Sequence, residues 1–248
     1  TQVTVKLHPV PASVVAGRIQ FTHLNAAAAA VAWLQATGVT LVRCELLDAA
    51  SVAAFLAYNN TGETDNNRHN SDLEIMPTLF LELQGPSEAI VQMQCDLVDE
   101  MLRDTHDVVL KPCTWAFEAD ARQALWQARH SLYYAAMASR PGGGSTGALV
   151  TDACVPLRHL PDLLQATASD VQRLDLHGPC FGHAGDGSFH CILAVREDDT
   201  EEYWERIHTV NANLLERTLA VGGTVTGEHG VGIGKRQYLS RQYNDATV

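Results

Sequence analysis

Apolar, β-prone runs alternate with segments of helical periodicity along this chain, and two of these runs flank a predicted two-residue turn, Asp186-Gly187. The β-prone runs are 3–10, 39–46, 77–83, 108–110, 149–155, 180–183 and 189–195. The helical segments are 24–36, 49–58, 87–103, 118–138, 160–172 and 201–221. Strands joined by a turn as short as Asp186-Gly187 must run antiparallel. The pattern therefore predicts an α+β fold, with an antiparallel sheet covered by helices in a ferredoxin-like arrangement.

The length of the chain allows one large domain or two small ones. It has 248 residues, of which 46% are apolar, enough for a packed core. We expect one unit over residues 1–248 that consists of two subdomains divided near residues 112–118. The polar segment 61–71 and the glycine-rich segment 141–147 are predicted to be loops. Neither end carries a recognisable opening or closing element, so a fragment of a longer protein is expected.

Charge and cysteine usage narrow the classes of partner. There are 29 acidic and 17 basic residues, for a net charge of −12, and Lys and Arg do not cluster. This argues against a nucleic-acid or anionic-membrane partner, and an anionic substrate would need a local positive site. No apolar run approaches the roughly 20 residues that span a bilayer. Six cysteines without a CxxC pair indicate buried reduced thiols in an intracellular protein.

The usual phosphate-binding loops are missing from the sequence. No GxGxxG follows a predicted strand, and GxxxxGK[ST] does not occur. The sequence therefore does not predict binding of a dinucleotide or a nucleoside triphosphate by these loops.

A histidine lies on each side of the Asp186-Gly187 turn, in the segment GHAGDGSFH at 182–190. If these two residues form a type I′ turn, His183 lies directly opposite His190 on one face of the hairpin. Two imidazoles at that spacing can share one cation at the Zn–N distance of about 2 Å. The spacing alone leaves open a chance pair of exposed histidines.

A second segment, GGTVTGEHGVGIG at 222–234, surrounds one acid and one imidazole with glycines. Adjacent residues of an extended backbone point in different directions, so Glu228 and His229 are not both expected to bind the same ion. Glu228 is the better third ligand beside the two histidines. His229, with an ordinary pKa of about 6.5, suits general-base work near neutral pH. The alternative is a glycine-rich turn with two solvated polar residues.

The segments HAGDGSFH and TVTGEHGVGIGKRQYL resemble the HxGDGNxH and GEHGxGxxK signatures of the FAD-linked oxidase C-terminal domain. This domain occurs in D-lactate and D-2-hydroxyglutarate dehydrogenases, flavoproteins of the vanillyl-alcohol-oxidase type. Three further blocks are similar to the family and occur in the expected order, so that the resemblance covers nearly the whole chain: PTLFLELQG (77–85), ALWQARH (124–130) and TDACVPLRHLPDLL (151–164).

The resemblance implies a Zn²⁺ or Mn²⁺ ion on His183, His190 and Glu228, with His229 as catalytic base. It also implies that Arg129 pairs with the substrate carboxylate, which would supply the local positive site. The glycine-rich loop, with Glu228 and Gly230, is expected to face the flavin. Ser188 stands where the family usually has Asn, a departure that bears on which substrate is preferred.

The resemblance further implies oxidation of a D-2-hydroxy acid, such as D-lactate, to a 2-oxo acid with hydride transfer to FAD. FAD would be bound mainly by an N-terminal domain absent from this chain, so the chain alone is expected to be inactive. An electron acceptor downstream of FAD, a homodimer and a mitochondrial location in a eukaryote are further expectations.

Two other functions remain open from the sequence. The first is a zinc hydrolase that uses the His/His/Glu site, although there is no HExxH helix. The second is a non-catalytic binding or assembly module with a vestigial site.

Overall fold

A computed structural model of the chain, which describes residues 2–7, 9–59, 73–103 and 109–243, contains one antiparallel sheet of eight strands with helices on both faces. The strands are β1 (Ser13–Phe21), β2 (Leu41–Leu47), β3 (Thr78–Gly85), β4 (Val109–Ala116), β5 (Gly147–Val150), β6 (Ala153–Cys154), β7 (Cys180–Gly182) and β8 (Ser188–Val195). The helices are α1 (Leu24–Ala36), α2 (Ala49–Asn59), α3 (Glu88–Arg103), α4 (Ala119–His130), α5 (Leu132–Ala138), α6 (Leu160–Arg173), α7 (Glu201–Ala220) and α8 (Leu239–Gln242).

The strand order confirms the predicted ferredoxin-like arrangement. The order across the sheet is β4-β1-β3-β2-β7-β8-β5, with β6 beside β8. In the first half, β3 lies between β1 and β2, and β1 lies between β3 and β4, all antiparallel. The connections β1-α1-β2 and β3-α3-β4 therefore form the split βαβ units of this arrangement. Helix α2 is an addition between β2 and β3.

The sheet has a hydrophobic core on each face, so most of its strands are buried on both sides. Helices α1, α3, α6 and α7 cover one face, where they pack on residues such as Leu81 and Leu193. Helices α2, α4 and α5 cover the other face and pack on residues such as Phe80 and Ile192. Because side chains alternate along a strand, buried polar residues on the second face can be assigned by their position. Glu45 of β2 and His190 of β8 occupy the same alternate positions as Phe80 and Ile192, so their side chains lie on the second face.

The expected strand at residues 3–10 is wrong, and the first strand of the structure is one that the sequence analysis does not predict. The described residues of segment 3–10 form no strand, and Val3, Val5, Leu7 and Val10 are exposed because no neighbouring strand pairs with them. The first strand is instead β1, whose buried Arg18 and Gln20 interrupt the apolar pattern.

Most other predicted elements agree with the structure to within a few residues. The predicted helix 118–138 is divided at Ser131 into α4 and α5, and the predicted strand 149–155 is divided into β5 and β6. Asp48 caps α2, since its Oδ1 accepts a hydrogen bond of 2.7 Å from Ser51 N. The segment 61–71 and residue 108 lie outside the described residues.

The proposed subdomain split near residues 112–118 falls at the end of β4 and the turn before α4, and it stays a prediction. Among the described residues, no helix is both long enough and apolar enough to span a membrane.

Candidate active site and metal centre

The hairpin of β7 and β8 carries both predicted histidine ligands, but its register differs from the prediction. Phe181, not His183, lies opposite His190. The connection between the strands is the five-residue segment 183–187, which contains a 3-10 turn at Ala184–Asp186, and Gly187 has a φ of 77°. A type I′ turn needs positive φ at both central residues, whereas Asp186 lacks it. A shift of two residues preserves the face, so His183 still approaches His190, with their ring centroids 6.3 Å apart.

Each histidine is held through its Nδ1 atom. His190 Nδ1 lies 2.8 Å from the carbonyl oxygen of Thr151, which can only accept, so Nδ1 donates. His183 Nδ1 lies 2.6 Å from Glu45 Oε1, and this contact raises the pKa of His183 above its ordinary value. In the neutral ring both Nε2 atoms therefore carry a lone pair. Hydrogen bonds of this kind orient histidines that bind metals.

The two Nε2 atoms converge on the carboxylate of Glu228. Glu228 Oε1 lies 2.8 Å from His190 Nε2 and 3.5 Å from His183 Nε2. A neutral Nε2 atom and a carboxylate oxygen both offer a lone pair. At 2.8 Å they attract each other only if a proton or a cation lies between them. A tetrahedral zinc site with bonds of about 2.0–2.1 Å separates its ligand atoms by about 3.3 Å. The three ligand atoms lie within 4.8 Å of one another, so the donor set fits a divalent ion.

A second group of possible ligands, Asp152 with His190 and His229, also lies within 4.8 Å. The lone pairs of Asp152 are already engaged, because its oxygens accept hydrogen bonds from neighbouring donors. These donors are the backbone N–H groups of Gly227, Glu228 and His229, the hydroxyl of Thr226 and the ammonium of Lys235. The first group is therefore the better candidate for a metal site.

Asp152, which the sequence analysis did not single out, holds the loop that carries Glu228 and His229. It lies between β5 and β6, and its side chain is buried, 1% exposed. Burial opposes its ionisation, but the hydroxyl of Thr226, the N–H of Glu228 and the charge of Lys235 hold the pKa of the carboxyl well below its ordinary value. A signal was available, since an acid at the end of an apolar strand needs a partner.

Glu45 is the second functional candidate that the sequence analysis missed. Its Oε2 atom accepts a hydrogen bond of 2.8 Å from Arg129 Nε, while Oε1 contacts His183. Burial again opposes ionisation, but the bonds from His183 and Arg129 hold the pKa of Glu45 below its ordinary value. An acid within the apolar run LVRCELL was the signal for it.

A cavity opens beside the ligands on the α4 and α5 side of the sheet. Arg129, His190, Glu228 and His229 line it with apolar side chains of Tyr133, Val150, Phe181 and Ile192. The His229 ring is about half exposed and stacks on His190, with centroids 4.8 Å apart. Its Nε2 atom is 3.7 Å from Glu228 Oε1. Every predicted catalytic and metal-binding residue thus lies at or beside this cavity.

Gly230 lies within the glycine-rich loop 222–234, and Ser188 lies beside that loop at the start of β8. Gly230 has a φ of 81° and open space where a side chain would project. Ser188 is buried, and its hydroxyl has no hydrogen-bond partner among the described residues. A Cβ atom at Gly227 would lie 2.5 Å from Ser188 Oγ, so the loop can approach β8 only with glycine there.

Replacing Gly187 with alanine is expected to lower the free energy of unfolding by about 2–4 kcal/mol. The new Cβ would lie 2.0 Å from the carbonyl oxygen of Val155, at a φ of 77° that disfavours side chains. Gly38 is a matched control, since its φ is 78° and no atom would lie within 4 Å of a Cβ atom added there. Gly38→Ala is expected to cost only about 1–2 kcal/mol. Equal losses in urea denaturation would show that the approach to Val155 is unimportant.

Comparison with known proteins places the chain in a family. Residues 10–248 match the family described as FAD linked oxidases, C-terminal domain. All of the chain aligns at 36% identity with a protein from Danio rerio named probable D-lactate dehydrogenase, mitochondrial, and covers 46% of it. Over 98% of its length, the chain is 30% identical to a protein from Arabidopsis thaliana named D-lactate dehydrogenase (cytochrome), mitochondrial, and it covers 40% of that protein. The chain spans less than half the length of these relatives.

A solved structure supports the same assignment at the level of the fold. The 4-ethylphenol oxidase from Gulosibacter chungangensis superposes with a TM-score of 0.54 at 15% identity, over 89% of this chain and 46% of that one. The resemblance seen in the histidine hairpin and the glycine-rich loop is therefore confirmed over nearly the whole chain, which belongs to the family of FAD linked oxidases, C-terminal domain.

Proposed function

We propose that this chain is the substrate domain of an FAD-dependent D-2-hydroxy-acid dehydrogenase that oxidises D-lactate or a close analogue to the 2-oxo acid. The observation that carries the proposal is the convergence of His183, His190 and Glu228 on one point, at the edge of a cavity that His190 and Glu228 line together with Arg129. The named D-lactate dehydrogenases among its relatives support the substrate class. In this assignment His183, His190 and Glu228 hold Zn²⁺ or Mn²⁺.

Arg129 would bind the carboxylate of the substrate. Its Nε atom is engaged by Glu45, which leaves the two terminal NH₂ groups as donors for a bidentate contact. The guanidinium also lies over the ring of Phe181, 4.9 Å from its centroid. These two contacts limit the rotation of the guanidinium, so that a bound 2-hydroxy acid has a defined orientation.

His229 would accept the proton of the substrate hydroxyl. Its ring stacks on a metal ligand and is half exposed at the cavity, so Nε2 can reach a substrate that Arg129 has oriented. A divalent ion held by His183, His190 and Glu228 would supply a Lewis acid that lowers the pKa of the substrate hydroxyl, and FAD would supply the acceptor for the hydride on C2. The walls formed by Val150, Phe181 and Ile192 suit a short apolar group such as the methyl of lactate.

The remaining parts of the proposal concern the whole protein. FAD would be bound mainly by a domain N-terminal to Thr1, and the loop with Glu228 and Gly230 would face the flavin. Reduced flavin would pass its electrons to a further acceptor, and the protein would work as a homodimer. Its relatives named as mitochondrial support that location if the source is a eukaryote.

His229→Gln is expected to lower kcat for D-lactate by about 100-fold or more, because the hydroxyl proton then has no acceptor. The experiment is anaerobic reduction of the flavin by D-lactate in a protein that contains both the flavin domain and this chain. FAD and metal content should stay at wild-type levels. His177→Gln is the matched control, since His177 bonds to Ser139 rather than to the site. Wild-type flavin reduction in the His229 variant would contradict the assigned role.

The same purified proteins also test the two other functions, a zinc hydrolase and a non-catalytic module with a vestigial site. A zinc hydrolase draws support from the His/His/Glu donor set, which can also activate water. It would cleave esters or amides without the flavin domain and would leave FAD oxidised in the presence of D-lactate. A vestigial module would take up neither Zn²⁺ nor Mn²⁺ in equilibrium dialysis.

A further inference from the structure

We propose that Glu45 is a positioning residue that orients both the metal ligand His183 and the substrate-binding Arg129. This inference rests on the proposed function. One carboxylate makes both contacts: Oε1 is 2.6 Å from His183 Nδ1, and Oε2 is 2.8 Å from Arg129 Nε. Because each oxygen has its own partner, rotation of the carboxylate would break both contacts together.

The position of Glu45 in the sheet makes it a rigid support. It lies in β2, which pairs with β3 on one side and with β7 on the other. Its side chain is 7% exposed, and its partner in the neighbouring strand is the buried Phe80. A residue on a paired strand is placed more accurately than one on a loop. Glu45 can therefore act as a fixed reference for less constrained neighbours.

His183 is such a neighbour. It lies just beyond the end of β7, and its side chain is 39% exposed, whereas His190 lies within β8 and is 5% exposed. His190 is also held by a backbone carbonyl, that of Thr151. Among the described contacts of His183, the bond to Glu45 is the one that places the proton on Nδ1 and leaves Nε2 free for a metal.

Arg129 is the second neighbour that depends on Glu45. Its side chain is 17% exposed, so its charge needs a partner in the absence of substrate. Glu45 is that partner, and it accepts its hydrogen bond from Nε of Arg129. The two NH₂ groups of Arg129 can therefore donate to a ligand. The same carboxylate thus sets the direction of one metal ligand and the fork of the substrate-binding arginine. This links the geometry of the two halves of the site.

The first test is the tautomer of His183 in the wild-type, metal-free protein. In the full-length protein with ¹⁵N-labelled histidine at alkaline pH, nitrogen chemical shifts should show the proton of His183 on Nδ1. A proton on Nε2 would overturn the inference, and this readout needs neither a variant nor a bound metal. Its failure is therefore distinguishable from failure of the proposed function, which would appear as wild-type protein that binds no Zn²⁺ or Mn²⁺.

The second test is Glu45→Gln in the same protein. We expect Zn²⁺ affinity to fall by about 10–100-fold, as for other losses of a partner behind a metal-binding histidine, and His183 to show a mixture of tautomers. Glu82→Gln is the matched control, because it removes an equal charge from the adjacent strand β3, where Glu82 pairs with Arg43 at 3.8 Å. It should leave both readouts unchanged.

Glu45→Asp completes the series. It keeps the charge but shortens the side chain, so it cannot reach both partners at once. An intermediate loss of Zn²⁺ affinity is expected, because one of the two contacts can be regained. Wild-type Zn²⁺ affinity and a wild-type tautomer of His183 in both Glu45 variants would overturn the inference.

Discussion

Replacing His190 with alanine is expected to lower the affinity for Zn²⁺ or Mn²⁺ by about 1,000-fold or more, because a bound structural zinc contributes about 10–16 kcal/mol through three or four ligands. His190 is the most buried of the three proposed ligands, and its Nε2 atom makes a shorter contact with Glu228 than His183 Nε2 does. If the proposed function is right, loss of the metal should also prevent reduction of the flavin by D-lactate in a protein that contains both the flavin domain and this chain. Isothermal titration with Zn²⁺ and anaerobic flavin reduction measure the two effects.

His177→Ala is the control for this substitution. His177 is a partly buried histidine that bonds to Ser139 Oγ at 2.7 Å, away from the site. Its variant should bind Zn²⁺ like the wild type. If His190→Ala bound Zn²⁺ as tightly as His177→Ala and the wild type, the assignment of the His/His/Glu centre would be wrong.

Asp152→Asn is expected to lower the free energy of unfolding by about 3–5 kcal/mol, the usual effect of breaking a buried ion pair. The amide has one acceptor oxygen for the five donors that now bond to the carboxylate, and its own N–H groups would face backbone N–H groups and Lys235. The loop with Glu228 and His229 should lose its position. Urea denaturation in the presence of a chelator measures the stability, and amide hydrogen exchange measures the loop.

This effect has a defined pH dependence. The folded pKa of Asp152 lies below the unfolded value of about 3.9. Its contribution is therefore fully present above the unfolded pKa and is lost as pH falls through the folded pKa. The difference between wild type and Asp152→Asn should be constant from about pH 6 to 8 and should shrink below about pH 4.

Asp96→Asn is the control for Asp152. Asp96 lies on α3 and makes one exposed hydrogen bond, with Gln92 at 2.9 Å. Its variant should change stability by less than about 0.5 kcal/mol. A loss in Asp152→Asn no larger than this would mean that the carboxylate does not hold the loop.

The elements of the fold were largely predictable because they depend on local patterns. Helical periodicity located α1 to α7, and β-prone runs located every described strand except β1. β1 was missed because Arg18 and Gln20 are buried within it, and burial of a polar residue depends on partners elsewhere in the chain. Segment 3–10 was wrongly assigned for the converse reason, since a β-prone run forms a strand only beside another strand.

The candidate site divides in the same way. Two short segments, 182–190 and 222–234, carry His183, His190, Glu228 and His229, and a family signature in sequence shows them without any coordinates. The register of the hairpin could not be predicted from neighbouring residues. Phe181 pairs with His190, the connection has five residues rather than two, and Gly187 lies against Val155.

The sequence by itself determined the antiparallel α+β class, the family and the types of side chain at the site, because periodicity and short motifs are properties of neighbouring residues. Only the tertiary structure decided which distant residues support them. Glu45 reaches His183 across 138 positions, and Asp152 reaches the N–H of Glu228 across 76. Such contacts are set by the order and register of strands across the sheet, which depend on packing of the whole chain rather than on any local run of residues.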